Sequence, residues 1–329
     1  MMPFTSFPGG ITSLGVPTFG SGGIIPPFPS DYIFVQEKFT AGQAAGVGTA
    51  ASPFNTLQQA LTVSPAGSNN VIFITGTIHL SALSSPIVWP SNVHLVGLCA
   101  PLKRGKRARI SVSGATPFGP LIQVSGSGSI FQNFQTFFGF PTTGSTSPIC
   151  WEDDGGRNNY NLVEFLGFGD GTASTGTSNQ TGARAFKFNN STGESTFRSC
   201  VFGVDTIQRG AANYTLEIAG GAPRLTFEDC DFESDLAAGG TGGSHVLIGS
   251  AGIDRYCKFE RCKFLSATLS AGSAMAQVFN VSGSAGGVVL LNECISFGAT
   301  AWETSPSASI YYDMLTPAAS QAGGKTVVL

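Results

Sequence analysis

Three consecutive carboxylates in the run CWEDDGGRNN are the best candidates for acid–base catalysis if the chain is an enzyme: Glu152, Asp153 and Asp154. A glycosidase needs two carboxyl groups about 5 to 9.5 Å apart across a substrate groove, and Trp151 beside them could stack on a sugar. The alternative is a polar turn, in which acidic side chains bond to nearby backbone and the two glycines adopt positive φ. The sequence favours the turn, and the same interpretation applies to two aspartates in glycine-rich stretches, Asp170 and Asp205.

The segment PLKRGKRAR carries five of the 17 basic residues of the chain: Lys103, Arg104, Lys106, Arg107 and Arg109. In a sequence with only 11% charged residues, this density suggests an electrostatic contact with an acidic partner surface, a nucleic acid or an anionic glycan. The alternative is a solvated turn that keeps an early coil soluble, and both interpretations stay open. The net charge of −3 argues against a general nucleic-acid-binding protein.

In the second half of the chain a cysteine recurs at a nearly constant spacing: Cys200, Cys230, Cys262 and Cys294. Leu166 lies in the same frame, one repeat before the first of them. A buried thiol behaves as a small apolar side chain, so this spacing favours a column of core residues over redox or metal chemistry. Disulfides between neighbouring cysteines are the alternative, but stacked strands rarely provide the geometry that a disulfide needs.

No metal site or cofactor is predicted. A zinc site needs ligands that converge, whereas the three histidines lie far apart in the repeat: His79, His94 and His245.

A second apolar series has a similar spacing: Phe186, Leu216, Val246 and Val278, with Ile122 and Cys150 extending it toward the N-terminus. Each repeat contains short apolar strands joined by turns rich in Gly, Ser and Asn, without a helical period. A repeat of this length is typical of a solenoid. The sequence therefore predicts an all-β fold, a single-stranded right-handed parallel β-helix over residues 67–300 with coils of about 30 residues.

Residues on either side of each cysteine are expected to form columns on the outer face of this solenoid. The position before the cysteine holds Ser199, Asp229, Arg261 and Glu293. The position after it holds Val201, Asp231, Lys263 and Ile295. Opposite charges then become neighbours on successive coils, where each pair contributes roughly 0.2 to 1 kcal/mol.

The segment SPFNTLQQALTV, residues 52–63, predicts a short helix that caps the first coil. Ser52 is the predicted N-cap and Pro53 the first helical residue. The apolar face of the helix is predicted to contain Phe54, Leu57, Ala60 and Leu61. Because an exposed solenoid end invites edge-to-edge association, we expect residues 31–66 to form an N-terminal cap and residues 301–329 a C-terminal cap and tail.

Residues 1–30 contain no charged side chain and are rich in Pro, Gly and Phe. Such a segment cannot form a core of its own, and is expected to be an extended arm that docks on another surface. The apolar residues predicted to dock are Phe4, Phe7, Ile11, Phe19, Ile24, Ile25 and Phe28. The start has neither the basic nor the apolar region of a signal peptide, and no stretch predicts a membrane span, so we expect synthesis in a cytoplasm.

The order TLQQAL, VIFITGTIHL and NVHLVG resembles the opening of right-handed parallel β-helix proteins of the pectin-lyase-like superfamily. The later coils, with their Phe-x-x-Cys-x-Phe pattern, resemble those of bacteriophage virion proteins with that fold. The resemblance covers roughly residues 50–300. Lyases and hydrolases of this superfamily carry signatures such as WIDH or an Arg-x-Lys element with several aspartates, and we find neither set here.

This resemblance implies a structural virion protein of a tailed bacteriophage, made in the cytoplasm of the bacterial host. By analogy it forms a homotrimer and attaches through its N-terminal arm to other virion proteins, as a capsid decoration or head-spike protein. Two alternatives stay open, a tailspike-like polysaccharide depolymerase and a glycan-binding adhesin. No membrane or specific nucleic-acid partner is implied.

Overall fold

The structure is a computed structural model that describes residues 11–13, 16–19, 31–37, 46–80, 85–112, 118–139, 149–169, 182–209, 213–236, 243–249, 251–267, 275–282, 287–303 and 310–312. Almost all regular structure in these residues is β. The first two strands, β1 (Ile11–Ser13) and β2 (Val16–Phe19), pair with each other in an antiparallel hairpin. The segment predicted as an extended arm therefore contains a local β-hairpin.

The other strands form three parallel sheets. The ten-stranded sheet contains β3 (Tyr32–Gln36), β4 (Val71–Thr75), β7 (His94–Gly97), β10 (Ile130–Gln132), β13 (Asn159–Asn161), β16 (Thr196–Arg198), β19 (Leu225–Glu228), β22 (Tyr256–Glu260), β25 (Val288–Asn292) and β27 (Ile310–Tyr312). The eight-stranded sheet contains β5 (Thr77–His79), β8 (Arg109–Val112), β11 (Gln135–Gly139), β14 (Glu164–Gly169), β17 (Val201–Arg209), β20 (Asp231–Leu236), β23 (Lys263–Ala267) and β26 (Ile295–Phe297). The seven-stranded sheet contains β6 (Ile87–Trp89), β9 (Ile122–Val124), β12 (Ile149–Asp153), β15 (Arg184–Phe188), β18 (Tyr214–Ile218), β21 (Ser244–Ile248) and β24 (Gln277–Val281).

Through most of the chain each coil contributes one strand to each sheet, and every strand pairs with its counterpart one coil away. This arrangement is a parallel β-helix, and the predicted fold class is confirmed. Successive coils are not equal in length, and the coil that runs from Tyr160 to Phe197 is longer than those on either side of it. The aligned ring positions of the ten-stranded sheet that show this are Phe131, Tyr160, Phe197, Phe227 and Phe259.

Aligned aromatic rings stack along the interior. In the ten-stranded sheet, the rings of Tyr160 and Phe197 are 4.6 Å apart and those of Phe197 and Phe227 are 4.5 Å apart, both nearly parallel. In the eight-stranded sheet, Phe232 stacks on its neighbours in the same way, with ring centroids 4.8 Å from Phe202 and from Phe264. These rings are buried and hold the two sheets together through edge-to-face contacts.

A two-residue turn joins the ten-stranded sheet to the eight-stranded sheet, and its first residue has positive φ in six successive coils. These residues are Asn133, Leu162, Ser199, Asp229, Arg261 and Glu293. The backbone N–H of the first five donates to a carbonyl of the next coil, as from Asp229 to Glu260 at 2.9 Å. The predicted outer column of alternating charge is therefore a column of corner residues. Within it, Arg261 and Asp229 form two hydrogen bonds, of 2.8 and 3.1 Å.

The single helix of the described residues, α1 (Leu57–Thr62), begins later than predicted. Its N-cap is Thr56, not Ser52, because the Thr56 hydroxyl accepts from the N–H of Gln59 while the Gln59 side chain accepts from the N–H of Thr56. This capping box satisfies two backbone donors that Ser52 could not reach. Leu57 and Ala60 are buried in the core, as predicted.

The stack of strands extends past both predicted boundaries of the solenoid. At the N-terminal end, β3 pairs along its length with β4, so the coils begin at Tyr32 and not after residue 66. At the C-terminal end, β27 pairs with β25 and continues the ten-stranded sheet to Tyr312. Residues 31–66 and 301–329, predicted as caps, therefore each contribute a strand to the ten-stranded sheet, β3 and β27.

Leu162 occupies a left-handed corner position that asparagine adopts more readily than leucine. We expect Leu162→Asn to raise the free energy of unfolding by about 0.5 to 1 kcal/mol, measured as a higher urea midpoint with an unchanged slope. The matched control is Asn133→Leu. It removes the hydrogen bonds that the Asn133 side-chain amide donates to the carbonyls of Gly97 and Cys99, and it should lower the urea midpoint. A lower midpoint for Leu162→Asn would contradict this account of the corner.

Candidate functional site

The acidic run is divided between the two faces of β12. Asp153 points into the solenoid and is fully buried, whereas Glu152 and Asp154 lie on the outer side. The Asp153 carboxylate accepts from the N–H groups of Gly155 and Gly156 at 3.0 and 2.8 Å, and from the hydroxyl of Tyr160 at 2.8 Å. Burial raises the pKa of Asp153, and these donors oppose the rise. Asp153, the last residue of β12, therefore stabilises the turn that follows this strand.

Trp151 is fully buried and cannot stack on a sugar. Its ring meets Phe131 and Phe165 edge-on, with centroids 5.1 and 5.5 Å away. The possibility that Trp151 contributes to a binding surface was wrong, because strand alternation places it in the aromatic core.

Outer residues of the seven-stranded sheet form a ladder of mostly charged side chains that we call the outer ladder: Glu152, Arg184, Lys187, Tyr214 and Glu217. Lys187 binds Glu152 at 3.0 Å, and Arg184 binds Glu217 at 2.6 Å while lying 4.5 Å above the Tyr214 ring. Burial raises the pKa of Glu152, although Lys187 opposes the rise.

Four members of the outer ladder were not predicted from the sequence: Arg184, Lys187, Tyr214 and Glu217. Aligning ICWED, RAFKF and YTLEI by the repeat would have placed Lys187 and Glu217 in the column of Glu152. Asp154, beside this column, accepts from Gln123 at 2.7 Å and from Asn189 at 3.2 Å. The arrangement offers donors and acceptors to a polar ligand, but each carboxylate already has a partner within the chain.

The basic segment crosses the outer face of the eight-stranded sheet. Residues 98–108, which we call the strap, replace the short corner turn between β7 and β8. Lys103 binds Asp231 at 2.7 Å and Arg104 binds the same carboxylate at 2.8 Å. Arg104 also pairs with Glu233.

The remaining basic residues divide between buried and exposed positions. Lys106 is fully buried and binds Glu164 at 3.1 Å, and Arg109 donates to Gln135. Arg107 is exposed. Four of the five basic side chains in the segment therefore bind acidic or amide groups of this chain itself.

The strap spans a long distance along the solenoid. In the register of the sheet, Gln135, Glu164, Val201 and Asp231 follow Arg109 on successive rungs. At about 4.8 Å per rung, the strap reaches about 19 Å from the rung where it joins β8 at Arg109 to the rung of Asp231. Burial raises the pKa of Glu233 to about 7, although Arg104 opposes the rise. The strap therefore brings cations to carboxylates on two rungs of this sheet, Glu164 on one and Asp231 and Glu233 on the other.

The cysteine column is buried and reduced. Each thiol donates to a backbone carbonyl of the preceding coil, as from Cys262 to Phe227 at 3.4 Å and from Cys294 to Phe259 at 3.4 Å. Burial raises the pKa of Cys230 well above its ordinary value, which disfavours the reactive thiolate. Cys200 takes the same position one coil earlier and donates to the carbonyl of Tyr160. The column is a packing element of the core.

Leu166 does not belong to the cysteine column. The register aligns Glu164 with Val201 and Phe165 with Phe202, so the residue before them, Val163, precedes Cys200 in the column. The second series needs two similar corrections, because Trp151 and not Cys150 aligns with Phe186, and Phe279 and not Val278 aligns with Val246.

Several predicted positions lie outside the described residues: Phe4, Phe7, Ile24, Ile25, Phe28 and Asp170. Ile11 and Phe19 are backbone partners in the hairpin of β1 and β2. Asp205 lies within β17 and not in a turn.

The described residues contain no group of three His, Cys, Asp or Glu side chains arranged to hold a metal. The three histidines lie apart: His79 binds Glu37 at 2.8 Å, His94 lies on β7 and His245 is buried on β21. Within the same part of the chain, no helix is long and apolar enough to cross a membrane.

No family model and no curated protein matches the sequence of this chain. Among solved structures, pectate lyase Pel9A superposes with a TM-score of 0.57 at 12% identity, covering 90% of this chain and 73% of that one. Escherichia coli YbhC covers 86% of this chain and 76% of its own at 12% identity, with a TM-score of 0.45. The likeness to Pel9A shows that this chain has a parallel β-helix fold. At this identity it shows the fold alone.

The ion pair beneath the strap gives a sharp stability prediction. Lys106→Met should lower the free energy of unfolding by about 3 to 5 kcal/mol, because it leaves the buried Glu164 carboxylate without its cation. The matched control is Arg107→Met, which changes an exposed neighbour and should have an effect within about 0.5 kcal/mol. Adding Glu164→Gln to Lys106→Met should recover part of the loss in urea denaturation. Equal losses of stability in Lys106→Met and Arg107→Met would contradict a stabilising role for the buried ion pair of Lys106 and Glu164.

Because His94 is buried in its neutral form, we expect the stability of the fold to depend on pH. Its Nδ1 accepts from the N–H of Ile130 at 3.1 Å and its Nε2 lies 2.7 Å from Asn69 Oδ1, which fits a neutral ring. Burial lowers the pKa of His94 from 6.5 to about 4. Between these values the unfolded chain binds a proton that the folded chain does not, so stability falls as the pH falls from 6.5 to 4, by on the order of 3 kcal/mol in total.

The measurement is the urea midpoint of the natural chain and of His94→Gln between pH 7 and pH 4. The stability advantage of the natural chain should shrink as the pH falls through this window. A difference between the two proteins that does not change with pH would contradict a neutral, buried His94.

Proposed function

We propose that this chain is a structural β-solenoid protein of a tailed bacteriophage particle, a capsid decoration or head-spike protein attached through residues 1–30. The observation that carries the proposal is that both chemically promising segments are used by the fold itself. Asp153 closes a turn with its carboxylate inside the solenoid, and the basic residues of the strap bind Asp231, Glu233 and Glu164. These contacts favour a scaffold over a catalyst.

Two sequence features connect this scaffold to a phage particle. The coils around Cys200, Cys230 and Cys262 resemble those of virion β-helices, and residues 1–30 are uncharged and rich in apolar side chains. An uncharged segment rich in Phe and Ile gains free energy by burial against another surface. The homotrimer expected by analogy belongs to the same proposal, as does a location in the virion.

The test is co-sedimentation with purified particles of the encoding phage from which this protein has been deleted. Full-length chain should bind these particles, and chain lacking residues 1–30 should not, while circular dichroism and urea denaturation show that the truncated chain keeps a folded β-solenoid. Sedimentation equilibrium of the full-length chain measures the expected trimer. If the full-length chain does not bind the particles, the structural proposal is wrong.

The outer ladder favours a second candidate, a glycan-binding or glycan-cleaving protein. Glu152 has a raised pKa and lies on the same face as Asp154, Lys187 and Arg184. Pel9A, which shares the fold, is by its name a pectate lyase. Such a face could bind the hydroxyl and carboxylate groups of a polysaccharide that displaces the existing ion pairs.

The two candidates differ in their response to removing charge from this face. For a structural protein, the double variant Glu152→Gln with Asp154→Asn should bind particles as the natural chain does, and neither protein should shorten host surface polysaccharide. The matched control is Glu228→Gln, on the ten-stranded sheet. Polysaccharide cleavage by the natural chain and the control, lost in the double variant, would replace the structural proposal with the enzyme.

A further inference from the structure

A second apolar cluster lies on the outer face of the ten-stranded sheet at its N-terminal end. We call it the outer apolar cluster: Phe34, Val71, Phe73, Val96 and Leu98. It is separate from the main core, which receives the alternate residues of the same strands, Ile72 and Ile74 of β4 and Leu95 of β7. Because successive strand side chains point to opposite faces, the first strands of this sheet carry apolar side chains on both faces.

The outer apolar cluster is confined to the first three strands of the sheet and the residue that follows them. In its second column, Phe34, Phe73 and Val96 lie on successive rungs, and the next residue in the column is Gln132. Further along, the same column holds Asn161, Arg198 and Glu228, which suit water. The outer face of the ten-stranded sheet is therefore apolar at its N-terminal end and polar along the strands that follow.

The cluster is covered although it faces outward. Val71 is 0% exposed, Phe73 1% and Val96 7%, whereas Arg198 in the same column is exposed. The Phe73 ring stacks on the rings of Tyr32 and Phe34, with centroids 5.7 and 5.2 Å away. Both partners lie on the neighbouring strand β3, so they cover the side of the Phe73 ring and not its outward end. A face of this kind requires a layer of apolar chain above it.

The described elements near this end are used elsewhere. The helix α1 packs Leu57 and Ala60 into the main core, on the opposite face. Residues 46–54 hydrogen-bond to the free edge of β3, with Phe54 N–H donating to Phe34 and Gln36 N–H donating to Phe54. Both cover the interior or the edge of the first coil, and neither supplies an apolar layer for the outer face.

We propose that the outer apolar cluster is the seat of this chain's own N-terminal segment, residues 1–30, which folds back on the solenoid in the free protein. The segment joins the sheet at Asp31, directly before Tyr32, whose ring stacks on Phe73. Thirty residues span up to about 100 Å when extended, so the segment easily covers three strands about 4.8 Å apart.

The composition of the segment matches its seat. Residues 1–30 contain no charged side chain, and their apolar residues include Ile24, Ile25 and Phe28 close to the point where the chain enters β3. A segment with Lys or Glu would lose hydration on such a face, whereas this one loses little. Burial of one large apolar side chain gives about 1.5 to 3 kcal/mol, so a few such contacts hold the segment.

This seat changes how attachment would work. A segment already bound to its own solenoid must leave the outer apolar cluster before it can bind another surface, and its departure exposes Phe73 and Val96 at the same end of the molecule. The inference concerns the free chain, and holds whether or not the chain binds a phage particle.

The experiment is photo-crosslinking of the full-length chain with p-benzoylphenylalanine in place of Phe34, followed by mass spectrometry. The matched control places the same group at Tyr256, a half-buried aromatic residue on the outer face of β22 in the same sheet. Mixing unlabelled and ¹⁵N-labelled copies before irradiation separates links within one chain from links between two. We expect links from position 34 to residues 1–30 of the same chain, and none of these from position 256.

Every other result overturns the proposal. Links between labelled and unlabelled copies would make a second copy of this chain the occupant. Links to residues 38–45, or equal links from both positions, would remove residues 1–30 as a specific occupant. An absence of links from position 34 would mean that no segment lies over the face.

Limited proteolysis gives an independent readout. Chymotrypsin cleaves after phenylalanine, and residues 1–30 contain Phe4, Phe7, Phe19 and Phe28. Phe73→Ser should accelerate cleavage in this segment by roughly tenfold or more, because it removes a central contact of the seat. The matched control is Val88→Ser, which changes a 55% exposed apolar residue on another sheet and should leave the rate unchanged.

If Phe73→Ser alters the circular dichroism, Val96→Ser at the margin of the cluster replaces it. Equal cleavage rates in the natural chain and a folded seat variant would overturn the proposal.

Discussion

In-register stacking of parallel strands is the constraint on which the rest of this structure depends. Each residue lies about 4.8 Å from its counterpart in the next coil, so every position of the repeat becomes a column that must suit several residues at once. Inside, the columns are flat rings and small thiols, as in Phe197, Phe227 and Phe259. At the corner, one residue per coil adopts positive φ so that the chain changes direction without breaking the ladder.

The same constraint decides where charge can lie. A column of like charges would repel at this spacing, and the outer ladder avoids it by placing Lys187 between Glu152 and Glu217. On the eight-stranded sheet, Glu164 and Asp231 lie two rungs apart in a column whose intervening residue is Val201. Cations for these carboxylates come from the strap, so a single insertion in an early coil supports the later coils.

Outer faces and ends are the surfaces that a solenoid can offer to a partner. Here the faces differ in chemistry: the strap covers much of one, the outer ladder lines another, and the third begins with the outer apolar cluster. The uncharged N-terminal segment enters beside that cluster. Attachment and any polysaccharide chemistry would therefore use different sheets. Variants that remove charge from the outer ladder would then test polysaccharide chemistry without changing the outer apolar cluster.

The spacing of the cysteines was enough to predict the fold class, because a repeat of about 30 residues without helical periodicity has few other solutions. Its register was not predictable. The coil from Tyr160 to Phe197 is longer than its neighbours, and a slip of one residue moves a side chain to the opposite face, which is why Leu166, Cys150 and Val278 were assigned to the wrong columns. The alternation within β12 separates Glu152 from Asp153, but the sequence alone left both a turn and a catalytic site open. Only the tertiary structure decided the role of the basic segment, because Lys103 and Asp231 are 128 residues apart and nothing local specifies which rung the strap reaches.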